Sequence, residues 1–92
     1  MPGPIFTYTR HARDQLALRK LEPAWVERTI LAPEAFETDP GHPDRTRAFR
    51  TVPEREGRTL RVVFVVRSAS TFHVITAFLD RGRRPGAVEV PI

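Results

Sequence analysis

The sequence predicts an α+β domain, an N-terminal helix pair packed on an antiparallel β-sheet meander, and three observations predict it. Ala12 and Leu16 fall one helical turn apart, as do Val26 and Ile30, which marks two amphipathic helices early in the chain. From Glu34 onward β-branched and aromatic residues gather in runs instead, above all Leu60 to Val66. Only turn residues separate these runs, so the helices precede the sheet rather than alternating with its strands.

Taken in order, Ile5 to Tyr8 reads as a short edge strand, after which Thr7 or Thr9 is placed to cap a helix through its hydroxyl. That helix runs to about Lys20. Leu18 and Leu21 widen its apolar stripe, while Arg10, Arg13, Arg19 and Lys20 are left for solvent or phosphate. Glu22 and Pro23 restart the chain, since proline is tolerated at the first helical position, and Trp25, Val26, Thr29 and Ile30 form a second helix that stops before Pro33. Ala35 to Thr38 is a short strand, residues 39–44 a loop dense in turn residues, and Arg45 to Val52 a loosely alternating strand. Residues 54–57 turn the chain into the central strand Leu60 to Val66; residues 68–71 turn it again, and Phe72 to Leu79 is the next strand. Past Asp80, residues 81–86 read as a basic linker and 87–92 as an extra strand or a tail.

Ninety-two residues fit a single domain, 1–92, with a core large enough to fold without metal or disulfide. The absence of cysteine excludes thiolate nucleophiles, disulfides and zinc knuckles, and suits a reducing cytoplasm, where the protein is expected. Residues 1–8 lack a basic stretch followed by an apolar segment, and no run approaches ~20 apolar residues, so neither export nor a membrane partner is expected. The net charge of +4 comes almost wholly from arginine, Lys20 being the one lysine among fifteen Lys and Arg residues. Guanidinium forks bind phosphate in a bidentate manner and stack on bases, which is compatible with a nucleic-acid partner. A GC-rich genome also explains arginine in place of lysine, but it leaves the excess of positive charge in need of a partner.

The stretch Thr9-Arg-His-Ala-Arg13, the run Val26-Glu-Arg-Thr-Ile30 followed by Pro33-Glu34, then Leu60-Arg-Val-Val63 and Val74-Ile-Thr-Ala-Phe78 carry a resemblance. In order and spacing, over roughly residues 8 to 80, the chain resembles the bacterial family called domain of unknown function 4258. That family is similar in layout to the RelE and BrnT toxins of toxin–antitoxin systems, a fold that includes metal-independent ribonucleases. The resemblance implies a RelE/BrnT-like toxin-type protein that binds or cuts RNA, free or ribosome-bound, with an antitoxin protein as a second partner. It also makes His11 the match to the family's signature histidine. Several relatives of the toxin fold carry a tyrosine near the C-terminus, whereas Tyr8 is the one tyrosine here; the acid for cleavage must then be a histidine, an arginine or water.

Metal-independent RNA cleavage needs a base for the ribose 2′-hydroxyl, a cation for the crowded phosphorane and an acid for the leaving 5′-oxygen. His11, in the first turn of the first helix, is the candidate base; the alternative is that it only caps or packs against the sheet. Arg61 is a charge inside the most apolar strand and must reach solvent, a carboxylate or a ligand. With Arg67 set opposite Phe72, Arg61, Val63 and Val65 share an open face with Val74, Thr76 and Phe78, while Ile75, Ala77 and Leu79 turn to the helices. Arg61 and Thr76 then floor a phosphate site, unless Arg61 pairs with a carboxylate and Thr76 is only a strand former. At period two Arg45 and Arg47 face away from Arg50. Phe49 in the core would send Arg50 to the Arg61 side, a bulge would reverse this, and the resemblance favours Arg47.

The candidate catalytic set is therefore His11, Arg47, Arg61 and Thr76, with Arg10, Arg13, Arg45 and Arg50 as candidate RNA contacts. In the same register His73 falls on the apolar face, and His42 lies exposed in the loop. Glu37, Asp39 and His42 lack the spacing of a metal site, and no P-loop, dinucleotide fingerprint or nucleophile elbow occurs, so no metal or cofactor is expected. A non-catalytic module that takes an acidic protein segment is the rival function.

Overall fold

A short first strand, β1 (Ile5–Tyr8), leads directly into helix α1 (Arg10–Arg19) in a computed structural model that describes residues 3–81. Thr9 makes the junction. Its backbone is extended, and its hydroxyl accepts the Ala12 amide at 3.0 Å while donating to the carbonyl of Ile75 at 2.8 Å. The helix ends at Lys20, whose backbone is left-handed at φ 55°; the amides of Lys20 and Leu21 reach back to the carbonyls of Ala17 and Leu16. Leu16 and Leu21 are both buried, which is the apolar contact such an ending brings. Leu18, expected in the stripe, is instead 73 % exposed. Two residues past Leu16, it lies about 200° around the helix.

Helix α2 (Pro23–Leu31) starts on its proline and buries Val26, Thr29 and Ile30. The Thr29 hydroxyl is satisfied by the carbonyl of Trp25 at 2.8 Å. Strands β2 (Ala35–Asp39) and β3 (His42–Val52) follow as a hairpin. The loop expected over 39–44 contracts to a turn at Pro40 and Gly41, because the Asp39 carboxylate accepts the Gly41 amide at 2.9 Å and so closes the turn locally. His42 accordingly opens a strand, though it is exposed. A turn of 3-10 helix (Pro53–Arg55) and two left-handed residues, Glu56 and Gly57, lead into β4 (Arg58–Ser68), which is followed by β5 (Thr71–Leu79). Of the basic linker and the extra strand or tail expected over 81–92, all but Arg81 lies outside the described residues.

The sheet has five strands in the order β1-β5-β4-β3-β2, with β4 at the centre. It is mixed rather than an all-antiparallel meander: β2 to β5 pair antiparallel, but β1 runs parallel to β5 at the opposite edge from β2. The two helices carry the chain from one edge of the sheet to the other between β1 and β2, α1 packing on β5 and β1, α2 on β4 and β3. Tyr8 of β1 lies against the core, its hydroxyl donating to Glu27 of α2 at 3.2 Å. Burial first, and then the neighbouring Glu27 charge, raise its pKa, so the phenol stays protonated.

The register between β4 and β5 matches expectation from Leu60 opposite Leu79 to Val63 opposite Thr76, and then shifts, with Phe64 opposite Val74. Ile75 is the extra residue of this bulge, and its carbonyl is the one held by Thr9. Two expectations are thereby corrected. Val74, not Ile75, enters the helix-covered core, and His73 turns to the open face opposite Val65, where its Nδ1 lies 2.7 Å from the Thr7 hydroxyl.

Thr9 is thus cap and strand tether at once. Thr9→Ala is expected to lower stability by about 1–2 kcal/mol in urea unfolding, with Thr9→Ser close to wild type. An unchanged midpoint for Thr9→Ala would contradict this role.

Candidate nucleic-acid interface

On the face of the sheet away from the helices, pairing sets side chains in rows. Phe49, Arg61 and Phe78 make one row across β3, β4 and β5, and Arg47, Val63 and Thr76 make the next. Arg61 is held between its two neighbours, with its guanidinium carbon 5.8 Å from the Phe49 ring centre and 5.2 Å from that of Phe78. Its charge meets Asp80 at 3.5 Å. Phe49 is buried as expected, but beneath Arg61 on this face rather than among the helices. Arg50 consequently points to the helix side, where it donates to the carbonyl of Ala32 at 2.7 Å. Arg45 and Arg47 are the residues of β3 that share the Arg61 face, Arg45 opposite Val65.

Arg47 reaches Glu37 at 3.4 Å and Asp39 at 3.5 Å. These contacts, like that of Arg61, are longer than the ~2.7–2.9 Å of a strong charge-assisted hydrogen bond. The buried Nε of each arginine has no acceptor among the described residues. Both side chains are therefore neutralised but not saturated, and an incoming phosphate has to compete with carboxylates for them. The Gly41 amide first, then the charges of Arg47 and His42, hold the Asp39 carboxyl below its usual range against the opposing cost of desolvation.

A second feature lies at the edge of the sheet. β1 pairs with β5 only as far as Val74, and beyond it that edge of β5 has no strand neighbour among the described residues. Helix α1 runs past this edge, presenting His11, Gln15 and Arg19 at a spacing of four. Between them and Thr76, Phe78, Leu79 and Arg81 is an open groove of about 570 Å³. His11 is exposed, and Gln15 accepts from the Arg19 Nε at 3.1 Å, which fixes the arginine without neutralising it.

The structure thus brings His11 and Thr76 into one groove. Arg61 stands one side chain behind it, stacked on Phe78, and Arg47 lies about 10 Å from Thr76 across two strand spacings. Arg45 is on the same sheet face, whereas Arg10, exposed and 4.0 Å from Asp14, and the exposed Arg13 lie on α1 outside the groove lining. Gln15, Arg81 and the partner carboxylate Asp80 were not singled out from sequence. The four-residue spacing from His11 was the available signal for Gln15. Among the described residues no group of three or more His, Asp or Glu side chains is arranged to hold a metal, and no helix is long and apolar enough to cross a membrane.

The family model described as domain of unknown function (DUF4258) matches residues 8–79. No curated protein and no solved structure matches the chain.

The Asp39 contact generates a pH prediction. Its folded-state pKa lies below an unfolded value of ~3.9, so its contribution is fully present above about pH 4 and is lost as pH falls through the folded value. Asp39→Asn should lower the urea midpoint at neutral pH and flatten the acid limb of the midpoint-against-pH curve. A variant curve parallel to the wild-type curve would rule this out.

Proposed function

We propose, from the premise that the chain belongs to the DUF4258 family, that it is an RNA-binding, toxin-type protein of RelE/BrnT-like layout that cleaves its target without a metal. The groove between α1 and the β5 edge carries this reading: one exposed imidazole, His11, shares it with two guanidinium groups, Arg19 and Arg81, and with Thr76 and Phe78. An element order of one strand, two helices and four antiparallel strands is similar to the layout of those toxins, and its support for the function is an analogy of fold.

The chemistry follows from the residues. His11 takes the proton of a ribose 2′-hydroxyl, the 2′-oxygen bonds to phosphorus, and the bond to the 5′-oxygen breaks as that oxygen takes a proton from water. The products are a 2′,3′-cyclic phosphate and a 5′-hydroxyl. Arg19 and Arg81 carry the charge that builds on the phosphorane, and Thr76 orients a phosphate oxygen. Phe78 offers a ring face to a base, with Arg61 holding that ring from behind. Arg47 and Arg45 take the strand where it crosses the open face, and Arg10 and Arg13 contribute at the margin of the groove, whereas Arg50, turned to the helix side, does not reach it. Such a protein works in the cytoplasm, on free or ribosome-bound RNA.

One observation favours a second reading, a non-catalytic module that takes an acidic protein segment such as an antitoxin tail. Arg47 and Arg61 already hold carboxylates. The test is incubation of total bacterial RNA and of ribosomes with the purified protein in EDTA, beside folded His11→Ala and Arg61→Met variants. Wild-type cutting that falls ~100-fold or more in His11→Ala, and less in Arg61→Met, is the expected result. Absence of cutting on both substrates would remove the catalytic reading and leave the binding module.

A further inference from the structure

A second cleft adjoins the groove at the far end of α1. It is lined by Leu18, Arg19, Lys20, Arg55, Arg58, Leu79 and Arg81, and shares Arg19, Leu79 and Arg81 with the first. Among the described residues no carboxylate lines it. Elsewhere among the described residues four arginines are matched, Arg10 with Asp14, Arg28 with Glu54, Arg47 with Glu37 and Asp39, Arg61 with Asp80, and the unpaired Arg13, Arg45, Arg50 and Arg67 line neither the groove nor the cleft. Here Arg19, Lys20, Arg58 and Arg81 make no ion pair among the described residues. Like charges brought together without counter-charges repel one another, and the repulsion is relieved when an anion enters.

The cleft also has a built geometry. The C-terminus of a helix carries negative charge that would repel an anion. Arg55 cancels it by donating to the carbonyls of Arg19 at 3.0 Å and Lys20 at 3.4 Å. Lys20 itself stands in the left-handed position that ends α1, a conformation more usual for glycine. From His11 to Lys20 the helix covers about 14 Å, farther than a single phosphate group reaches, so one continuous cation-lined track joins groove and cleft.

We infer that this cleft is a second phosphate subsite for a single-stranded RNA backbone, taking the strand as it leaves the His11 groove. The inference rests on the RNA reading above and extends its footprint beyond the scissile phosphate. RNA is favoured over an acidic peptide because guanidinium forks suit tetrahedral phosphates, and because exposed Leu18, with Leu79, gives a neighbouring base an apolar surface to lie on.

The experiment is fluorescence anisotropy of a labelled single-stranded oligoribonucleotide against the full chain over a range of salt concentrations. Lys20→Gly, which also suits the left-handed backbone, combined with Arg58→Gln, should reduce the slope of log K against log salt by about 1.4, the release from two phosphates. Arg67→Gln, an exposed cation nine residues along β4 from Arg58, should keep the wild-type slope. Wild-type binding with an unchanged slope in the double variant would overturn the cleft while leaving the groove reading intact. No wild-type binding would overturn both. Displacement of the RNA by polyglutamate of equal charge, at equal concentration, would overturn the assignment to RNA and make the cleft an acidic-peptide site.

Discussion

The arrangement depends on one hydroxyl. Thr9 accepts from the first turn of α1 and donates to the bulge of β5, so a helix start and a strand irregularity 66 residues away are fixed by the same atom. Its own amide donates to the Val74 carbonyl at 3.0 Å, the last link before the chain turns away from the sheet. Because β1 stops there, the rest of the β5 edge is left to α1, and the space between them is the groove. The bulge further decides which residues reach it: it sends Val74 inward and keeps Thr76 and Phe78 on the open side. Cap, bulge and groove are therefore one feature.

A second constraint is how charge is distributed over this frame. The sheet face and the helix edge are both basic, but they differ in kind. On the sheet face every charged arginine that the rows bring inward, Arg47 and Arg61, has a carboxylate within 3.5 Å. This is what partial burial demands, since each side chain is less than a quarter exposed and an unpaired guanidinium there is costly. Along α1 the cations are exposed and need no partner for stability. Among the described residues the helix edge therefore gathers unpaired positive charge, Arg19, Lys20, Arg58 and Arg81, at one place.

Much of this was legible in the sequence, and the failures share a cause. Pro23, the helical spacing of Val26 and Ile30, and the apolar run around Arg61 declare themselves locally, and the register from Leu60 to Val63 follows from alternation alone. The parallel place of β1 does not, because its partner lies 66 residues on and nothing in Ile5 to Tyr8 encodes direction. The bulge at Ile75 sits in an unbroken β-branched run with no glycine or proline to mark it; its signal is the distant Thr9. Arg55 gave no hint of its role, since a turn residue reads as solvated until the helix end it neutralises is placed beside it. The loop at residues 39–44 was overestimated because five turn-forming residues among six look like a long loop, while one Asx contact suffices to close a turn.

The contrast between paired and unpaired cations also orders the events of binding under the RNA reading. A phosphate entering the groove or the cleft meets Arg19, Arg81 and Lys20 without having to displace a carboxylate, so the attraction is spent wholly on the ligand. A phosphate that binds Arg47 on the sheet face must first separate it from Glu37 and Asp39, and the carboxylates it displaces remain nearby and repel it. Capture on the helix edge therefore comes first, and contact with the sheet follows only when the strand is already held and the second contact is intramolecular. This also gives the carboxylates a discriminating role. A small anion held at one point lacks the tether needed to open the Arg47 pair, whereas a polymer long enough to cross from α1 to β3 has it.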